Sequence, residues 1–288
     1  MGSQDRGAFK YSWEEAIAIL RADPAHQDLI FHSYLSADLA ENARRFSASA
    51  EFAETLRLLA QKVPRARAIL DIPGGNGIAA YAFAKAGFEV TTVEPDPSAS
   101  VGRGAIAAVL ASGALKADIV DAFGENLPFA DASFDVVYVR QGLHHAADLP
   151  KMVREYARVL RPGGVLFAGR EHVVENYGES LEAFLATQAD HQLYGGEHAF
   201  TLPDYRAALG GAGLNLVLEL GPFDSCINLY PASIQDLHRS LLASRKGRYL
   251  ARLLPAAWVA NLGLWWLRRQ KMPGRLYTFL AAKPGGAP

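Results

Sequence analysis

The chain has 288 residues, half of them hydrophobic and a fifth charged, with 29 Lys and Arg against 30 Asp and Glu. This composition excludes a disordered, fibrous or low-complexity chain, and the length suffices for one or two domains with a full core. The single cysteine, Cys226, excludes an internal disulfide and a multi-cysteine zinc site. Residues 1–20 show no apolar core of an export signal, so we expect a cytoplasmic protein.

The charges are unevenly distributed along the chain. Residues 237–288 hold ten Lys and Arg and no acidic residue, whereas residues 1–236 hold 19 basic and 30 acidic residues. A basic segment of this kind favours an anionic surface or partner. Neutralisation of the acidic part across an internal interface is the open alternative.

The N-terminal part carries the pattern of helices. Ser12 and Glu15 have the spacing of a capping box, and apolar residues follow at helical spacing. A second helical stretch, Glu51–Lys62, ends before Pro64. We therefore assign residues 1–63 to an N-terminal helical cap.

From residue 68 onward, short apolar runs alternate with segments of helical length. The predicted strands are Ala68–Ile72, Val90–Glu94, Lys116–Val120, Phe134–Val139, Val165–Ala168, Leu214–Leu220 and Leu276–Ala281. The predicted helices are Ile78–Ala86, Ser98–Ala111 and Leu149–Leu160. This alternation predicts a Rossmann-like α/β fold with a seven-stranded, mostly parallel sheet and helices on both faces. We assign residues 64–221 and 275–288 to this domain.

A glycine-rich turn, Asp71-Ile72-Pro73-Gly74-Gly75-Asn76-Gly77, follows the first predicted strand and leads into an alanine-rich helix. Glycines at such a turn let the backbone approach a ligand, and the next helix offers free N–H groups to a nucleotide-like ligand. Glu94 ends the second strand, 23 residues after Asp71, where it can accept hydrogen bonds from a ribose diol. Gly75 to Ala80 also satisfy the dinucleotide fingerprint, so NAD is a competing cofactor.

Three further blocks follow the third strand: Glu125–Val137 (ENLPFADASFDVV), Leu143-His144-His145, and Arg158–Gly164 (RVLRPGG). With the glycine-rich turn and Glu94 before them, these blocks resemble class I S-adenosylmethionine (SAM) dependent methyltransferases of the ubiquinone- and menaquinone-biosynthesis-like branch, over residues 68–170. The resemblance implies methyl transfer, with SAM as the cofactor and S-adenosyl-L-homocysteine (SAH) as its product. It decides against NAD.

The resemblance also implies where the cofactor binds. The glycine-rich turn would hold the methionine part of SAM, and Glu94 the ribose hydroxyls. Phe123 and Gly124 would lie beside the adenine. The full predicted set is Asp71, Pro73, Gly74, Gly75, Asn76, Gly77, Glu94, Pro95, Asp121, Phe123, Gly124, Arg140, Gln141 and Leu143. The Arg161–Gly164 turn into the fifth strand is expected to serve turn geometry alone.

Two residues depart from the family's pattern. Pro73 stands where the family usually has the first glycine of the loop, and proline fixes φ and has no N–H to donate. The methionine end of SAM would then sit differently or bind more weakly. Phe123 stands where many relatives have an aspartate, so adenine recognition would rest on stacking by Phe123, on backbone atoms or on Asp121.

Two adjacent histidines follow the fourth strand, at the end where open α/β sheets bind ligands. An imidazole titrates near neutral pH, so His144 or His145 could act as a general base toward an acceptor that must lose a proton. Packing, or a hydrogen bond to the glycine-rich turn, is the alternative role. We predict His144, His145 and Arg140 as the catalytic residues, and we favour His144 as the base.

Residues 190–198 (DHQLYGGEH) join a helix to Thr201, which can cap a helix that starts at Leu202. They predict a lid loop or a wall of the acceptor site, with an ordinary surface turn as the alternative. Metal binding by His191, Glu197 and His198 is not favoured, and we predict no metal.

Residues 222–274 form an insertion before the last strand and carry most of the basic excess. Within it, Leu253–Leu267 has fifteen uncharged residues that include Trp258, Trp265 and Trp266. A bilayer span takes about 20 residues. The segment predicts peripheral contact of residues 245–271 with the inner face of a membrane, a cover over an apolar acceptor pocket, or a buried helix in the core or in a dimer contact. Nucleic-acid binding is not predicted, because the basic residues surround an apolar core.

These patterns together predict a SAM-dependent methyltransferase that acts, by O-methylation, on a small-molecule or a lipid- or saccharide-linked acceptor. The alternatives are an NAD(P)-dependent oxidoreductase and a SAM-binding or membrane-associated module without transfer activity. The acceptor's identity and the oligomeric state do not follow from the sequence.

Overall fold

The structure is a computed structural model that describes residues 10–250 and 252–285. Residues 1–9, part of the segment considered for export, lie outside the described residues. The N-terminal part is helical, with α1 (Trp13–Ala22), α2 (Gln27–His32), α3 (Leu39–Ser47) and α4 (Ala50–Lys62). The predicted capping box opens α1: the Ser12 hydroxyl accepts from the Glu15 N–H, and the Glu15 carboxylate accepts from the Ser12 N–H.

A mixed sheet with helices on both faces follows. Its elements are β1 (Ala68–Asp71), α5 (Ile78–Lys85), β2 (Glu89–Val93), α6 (Arg103–Ser112), β3 (Asp118–Val120), β4 (Phe134–Arg140), α7 (Leu149–Val159), β5 (Leu160–Val174), α8 (Glu179–Leu185), α9 (Ala189–Tyr194), β6 (Phe200–Thr201), α10 (Leu202–Gly211), β7 (Asn215–Leu220), α11 (Cys226–Leu229), α12 (Ile234–Ala243), α13 (Arg245–Leu250), α14 (Ala256–Arg269) and β8 (Arg275–Ala282). The strand order is β3-β2-β1-β4-β5-β8-β7, and β6 pairs with β5. Only β8 runs antiparallel to its neighbours among the strands described. The predicted Rossmann-like α/β fold is confirmed.

The sheet differs from the prediction around its fifth strand. β5 runs over Leu160–Val174 instead of Val165–Ala168, and the Arg161–Gly164 turn lies inside it as a bulge. The short strand β6 pairs with the far end of β5, which makes eight strands in the described residues instead of seven. Apolar runs could not indicate either feature, because a bulge and a two-residue strand have no hydrophobic pattern.

Two predicted helical boundaries are also wrong. The helix predicted over Ser98–Ala111 begins only at Arg103, after Gly102. A Cβ on Gly102 would lie 2.2 Å from the Asp96 carbonyl oxygen, so the chain folds tightly back on itself before the helix starts. The segment 190–198, predicted as a loop, is helical as far as Tyr194, where α9 ends.

β1 and β4 lie side by side at the centre of the sheet, in parallel register with Leu70 beside Val137. From β1 the chain moves outward to β2 and β3, and from β4 it moves to the other side, to β5. This reversal of strand order opens a crevice at the carboxyl ends of the strands, where open α/β sheets bind ligands. The loops after β1, β2 and β4 and the far end of β5 therefore meet at one edge.

The N-terminal helices share a core with the sheet. Tyr34, Phe46 and Phe52 are buried in one cluster with residues of β1, β4 and α5. The opposite face of the sheet is covered mainly by α7 and α10. Burying one such aromatic side chain contributes about 1.5–3 kcal/mol. Phe46 of α3, Phe52 of α4 and Tyr34 between α2 and α3 therefore hold this part of the chain against the sheet.

The insertion before β8 contains α11 to α14. In α14, Val259, Ala260 and Leu264 are buried, whereas Trp258, Trp265 and Trp266 are 68%, 50% and 53% exposed. The alternative of a helix buried in the core is therefore wrong for the tryptophans. No helix of the described residues is long and apolar enough to cross a membrane.

Candidate active site

The turn after β1 brings the backbone very close to β2 and α6. A Cβ on Gly74 would lie 2.3 Å from Thr92 Oγ1, and one on Gly77 would lie 2.9 Å from Ile106 Cα. Gly75 and Gly77 also have φ values of +51° and +87°, in the left-handed region that favours glycine. A Cβ on Gly75 would meet no atom within 4 Å, so there is open space beside the turn at that point.

Glu94 follows β2 and directs its carboxylate at this turn. Oε2 accepts from the Gly75 N–H at 2.8 Å, and Oε1 accepts from the Asp96 N–H at 2.9 Å. Burial raises the pKa of Glu94 to about 7, against the two hydrogen bonds that lower it. A carboxylate can accept about four hydrogen bonds, so one acceptor position is left on each oxygen. A pair of neighbouring hydroxyls, as in a ribose, fits that arrangement.

Three other predicted cofactor residues support the turn. Asp71 is buried and accepts from the Thr92 hydroxyl at 3.2 Å, and burial raises its pKa to about 7. The Asn76 amide donates to the Tyr34 carbonyl at 2.7 Å, which ties the turn to the N-terminal helices. Pro73 packs so closely on Gly142 that a Cβ there would lie 2.3 Å from Pro73 Cδ. The loops after β1 and β4 are therefore in direct contact.

The predicted adenine side lies beyond Glu94. Arg103 donates to the Pro95 carbonyl at 2.7 Å and forms an ion pair with Asp121 at 3.0 Å. The Phe123 ring is half exposed, which leaves a face for stacking. A Cβ on Gly124 would lie 2.6 Å from the Tyr156 hydroxyl, so this position has no room for a side chain.

At the end of β4, Arg140 is committed to partners within the protein. Its guanidinium forms a bidentate, buried pair with Glu51 of α4, at 2.6 and 3.1 Å, and donates to the Gln141 side chain at 3.0 Å. Gln141 has a φ of +52°, and Leu143 is fully buried in the core. Arg140 thus joins an N-terminal helix to the site.

His144 lies on the short 3₁₀ turn after β4 and is buried. Its Nδ1 lies 2.8 Å from Glu171 Oε2, and Glu171 also accepts the N–H groups of Gly142 and His144 at 3.1 Å. Burial lowers the pKa of His144, but its hydrogen bond to Glu171 and the nearby negative charges of Glu171 and Glu197 outweigh this and raise it to about 10. His144 is therefore held as a cation in this arrangement.

His145 has a different environment. Its side chain is 38% exposed, its Nδ1 lies 2.8 Å from the Gly196 carbonyl, and its Nε2 lies 3.7 Å from Glu197 Oε1. Burial of the ring and the neighbouring His144 lower its pKa. The lowered pKa favours the neutral imidazole, which is the form that can accept a proton.

Two site residues were not predicted from the sequence. Glu171 and His172 lie on β5 beyond the predicted strand end at Ala168, and the extension of β5 carries them to the same edge as His144. His172 Nδ1 lies 2.9 Å from the Gly274 carbonyl, and its ring meets the His144 ring edge-on at 4.9 Å. Burial lowers the pKa of His172 to about 4. The signal that could have found them is a pair of titratable residues three and four positions after the predicted strand end at Ala168.

Comparison with known proteins agrees with this geometry. Residues 70–168 match the family model for a methyltransferase domain. An uncharacterized methyltransferase of Mycobacterium sp. (strain JLS) is 35% identical over 145 residues, covering 50% of this chain and 50% of that protein. The 27-O-demethylrifamycin SV methyltransferase of Amycolatopsis mediterranei (strain S699) is 36% identical over 152 residues, covering 51% and 53%.

Residues 70–168 therefore carry the sequence pattern of a methyltransferase domain. The fold of the chain is also that of phosphoethanolamine N-methyltransferase 2 from Haemonchus contortus, solved with phosphomonomethylethanolamine and SAH, at a TM-score of 0.58 and 17% identity over 96% of this chain and 61% of that one. The predicted family resemblance is thus confirmed. The chain spans about half the length of the curated relatives it matches.

The matched methyltransferase segment, residues 70–168, contains the glycine-rich turn, Glu94 and both adjacent histidines, but ends before Glu171. Residues 195–198, which lie over these histidines, come from outside the matched segment. Glu197 Oε2 lies 3.5 Å from His144 Nε2. Helix α9 precedes Glu197 in the chain and packs on α1, where the Trp13 and Tyr194 rings are 5.7 Å apart. The methyltransferase domain is therefore closed by segments that the family model does not include.

Proposed function

We propose that the protein transfers the methyl group of SAM to a hydroxyl of a small-molecule or a lipid- or saccharide-linked acceptor. The main support is one juxtaposition at the sheet edge. Glu94, a buried carboxylate with acceptor positions to spare, lies beside the glycine-rich turn, and that turn touches the loop that carries His144 and His145. The cofactor and the acceptor would then meet between the loops after β1 and β4.

On the cofactor side, the fit rests on the chain's own geometry. Glu94 would accept the two ribose hydroxyls, the open space beside Gly75 would admit the methionine part, and the exposed face of Phe123 would stack on the adenine. SAM, when bound, supplies a methyl group on a positively charged sulfur that leaves as a neutral thioether. The protein's task is therefore alignment in a site from which water is excluded.

On the acceptor side, an oxygen nucleophile needs a base. Although the sequence favoured His144, the structure supports His145 for this role, because His145 is partly exposed and its pKa is lowered. Glu197 Oε1, 3.7 Å from His145 Nε2, would stabilise the imidazolium that forms. The relative named for a 27-O-demethylated substrate supports oxygen as the methylated atom.

The test of the proposed function is calorimetric and thermal-shift titration of the protein with SAM, SAH, NAD and NADP. A ligand that binds only the folded state stabilises it by about 2.7 kcal/mol at a concentration of about 100 Kd. We expect SAM and SAH to stabilise the protein, and Glu94→Ala to weaken both by about 10- to 100-fold through loss of charge-assisted hydrogen bonds.

Glu89→Ala is the matched control, since Glu89 is an exposed carboxylate at the other end of β2. This variant should bind SAH as the wild type does. A response to NAD instead of SAM would support an oxidoreductase. Binding of SAM with no conversion to SAH across a panel of hydroxyl acceptors would support a module without transfer activity.

We also propose peripheral membrane contact through residues 245–271. The exposed tryptophans of α14 lie beside a basic segment, and the Arg269 guanidinium lies 3.7 Å from the centre of the Trp265 ring. Tryptophan with flanking arginines is typical of the interface between lipid headgroups and acyl chains. A lipid-linked acceptor would then be methylated where it is anchored.

Sedimentation with vesicles tests the membrane proposal. We expect the protein to pellet with phosphatidylserine-containing vesicles at low salt, and the double variant Trp265→Ser, Trp266→Ser to stay in solution. Phe31→Ser is the matched control, because Phe31 is an equally exposed aromatic with Arg45 stacked on it at 3.4 Å, on α2. Absence of sedimentation by the wild type would contradict the membrane proposal.

A further inference from the structure

Three side chains that can ligate transition metals, two histidines and a glutamate, lie close together at the ligand-binding edge of the sheet. One nitrogen of His144, one nitrogen of His172 and a carboxylate oxygen of Glu197 all lie within 4.8 Å of one another. His144 Nε2 and Glu197 Oε2 are 3.5 Å apart, which is longer than a normal N–H···O bond of about 2.7–3.2 Å. Two ligand atoms at about 2.0–2.1 Å from a tetrahedral zinc ion lie about 3.4 Å apart. This separation therefore suits two ligands of one ion.

The opposite nitrogen of each imidazole is already held. His144 Nδ1 lies 2.8 Å from the Glu171 carboxylate, and His172 Nδ1 lies 2.9 Å from the Gly274 carbonyl. These bonds fix the orientation of both rings and leave Nε2 as the atom that can ligate. Metal-binding histidines almost always donate their other ring N–H to a carboxylate or a backbone carbonyl in this way. On His144 the ion would replace the Nε2 proton of the imidazolium.

The charge at this place also favours a cation. Glu171 is fully buried and the Glu197 side chain is 12% exposed, so two carboxylates share a poorly solvated site with one imidazolium, His144, and one negative charge is left uncompensated. A buried carboxylate is costly unless it is paired or coordinates a metal. The ligands come from three segments, the turn after β4, the end of β5 and the loop after α9, which the fold brings together at the ligand-binding edge of the sheet.

We propose that His144, His172 and Glu197 bind a divalent transition-metal ion of the zinc type. Two imidazoles and one carboxylate, with a further coordination position open, form the ligand set of catalytic zinc sites. The role of the ion rests on the proposed function: its open position would bind the acceptor oxygen and acidify the hydroxyl, whose proton passes to His145. Loss of that proton leaves an oxygen anion to attack the methyl group.

The test measures metal binding by the full chain without SAM or acceptor. Protein stripped with a chelator is titrated with Zn²⁺ in competition with a chromophoric indicator, and with Co²⁺, whose visible absorption reports tetrahedral coordination. We expect one ion per chain. His172→Asn keeps an amide donor to the Gly274 carbonyl but removes Nε2, and Glu197→Gln removes the charge at constant shape, so each should weaken zinc binding by more than about 100-fold.

Two further variants sharpen the result. Glu171→Gln changes no proposed ligand atom, but it weakens the group that orients the His144 ring and its backbone turn, and it should weaken binding by about 10- to 100-fold. His26→Asn, on a histidine remote from the site, should leave the affinity unchanged. Thermal unfolding of each variant establishes that it is folded before its affinity is compared.

The outcomes separate this inference from the proposed function. Absence of stoichiometric zinc binding by the wild type, or binding that is unchanged in both His172→Asn and Glu197→Gln, overturns the metal site. SAH titration of the same preparations is independent. SAH binding without zinc binding refutes the metal site and leaves the proposed function standing, and zinc binding without SAH binding does the reverse.

Discussion

The two halves of the candidate site are built differently. In the cofactor half, residues 71–77 and 94–96, Glu94 bonds Gly75 across 19 positions of the chain, within the matched methyltransferase segment. In the acceptor half, residues 140–145, 171–172 and 195–198, Arg140 bonds Glu51 across 89 positions, and the cover over the histidines comes from beyond that segment. A compact motif defines the first half, and contacts between distant segments define the second.

This difference shows that the family match supports an inference about the cofactor but none about the acceptor. The matched segment includes the residues that would bind SAM, so the match indicates the cofactor. The acceptor half is assembled from segments that the match leaves out, so the acceptor has to be argued from the chemistry of those side chains.

The largest effect is expected from the buried pair that joins α4 to the acceptor half. Glu51→Ala leaves Arg140 charged and unpaired in a buried place, which costs about 3–5 kcal/mol of the free energy of unfolding. Glu54→Ala is the control three residues later on the same helix, where the pair with Arg57 is partly exposed and contributes about 0–1 kcal/mol. Urea denaturation measures both. Equal, small losses would mean that the acceptor half does not depend on this distant contact.

A smaller effect is expected in the cofactor half, from close packing of the glycine-rich turn. In Gly74→Ala the new Cβ would lie 2.3 Å from Thr92 Oγ1 and 2.9 Å from Ile106 Cδ1, so the turn must shift. Such overpacking costs about 1–3 kcal/mol, and SAH affinity should fall with it.

Gly210→Ala is the matched control for that substitution. A Cβ on Gly210, in helix α10, would meet no atom within 4 Å, so this alanine should stabilise the protein by about 0.4–1 kcal/mol. Thermal unfolding of the two variants should therefore show shifts of opposite sign. If Gly74→Ala unfolds at the wild-type temperature and binds SAH normally, the turn is not tightly packed against β2 and α6.

The smallest effect concerns pH. The pKa of Glu94 is about 7 in the folded protein, well above its usual value near 4.5, because the carboxyl is buried. Ribose hydroxyls favour the ionised form, so binding of SAH releases a proton below this pKa and becomes tighter as pH rises. From about pH 6 to about pH 8 the ionised fraction grows from about one-tenth to nine-tenths, which predicts up to about ten-fold higher affinity.

Calorimetry of SAH binding in buffers of different ionisation heat measures that proton release. Glu94→Gln has no titrating group at this position and should show a flat profile. An undiminished slope in Glu94→Gln would assign the titration to Asp71, the other carboxyl whose pKa is raised to about 7.

Much of the fold could be predicted from local patterns, for a physical reason. Capping boxes such as Ser12 with Glu15 and Thr201 with Asp204 act within four residues, and the alternation of apolar strands with helices is read directly along the chain. The glycine-rich turn and Glu94 were predictable too, because strand ends and tight turns constrain residue type locally.

The acceptor half could not be predicted in this way, because its residues come from segments far apart in the chain. β5 was predicted to end at Ala168, because Gly169, Arg170 and Glu171 break the apolar run, yet pairing with β8 extends it to Val174. That extension carries Glu171 and His172 to His144, and the loop after α9 brings Glu197 over them. Interactions between residues a few positions apart depend on local residue types, so they can be predicted from the sequence. Contacts between distant segments depend on how the whole sheet pairs, and no local pattern encodes that pairing.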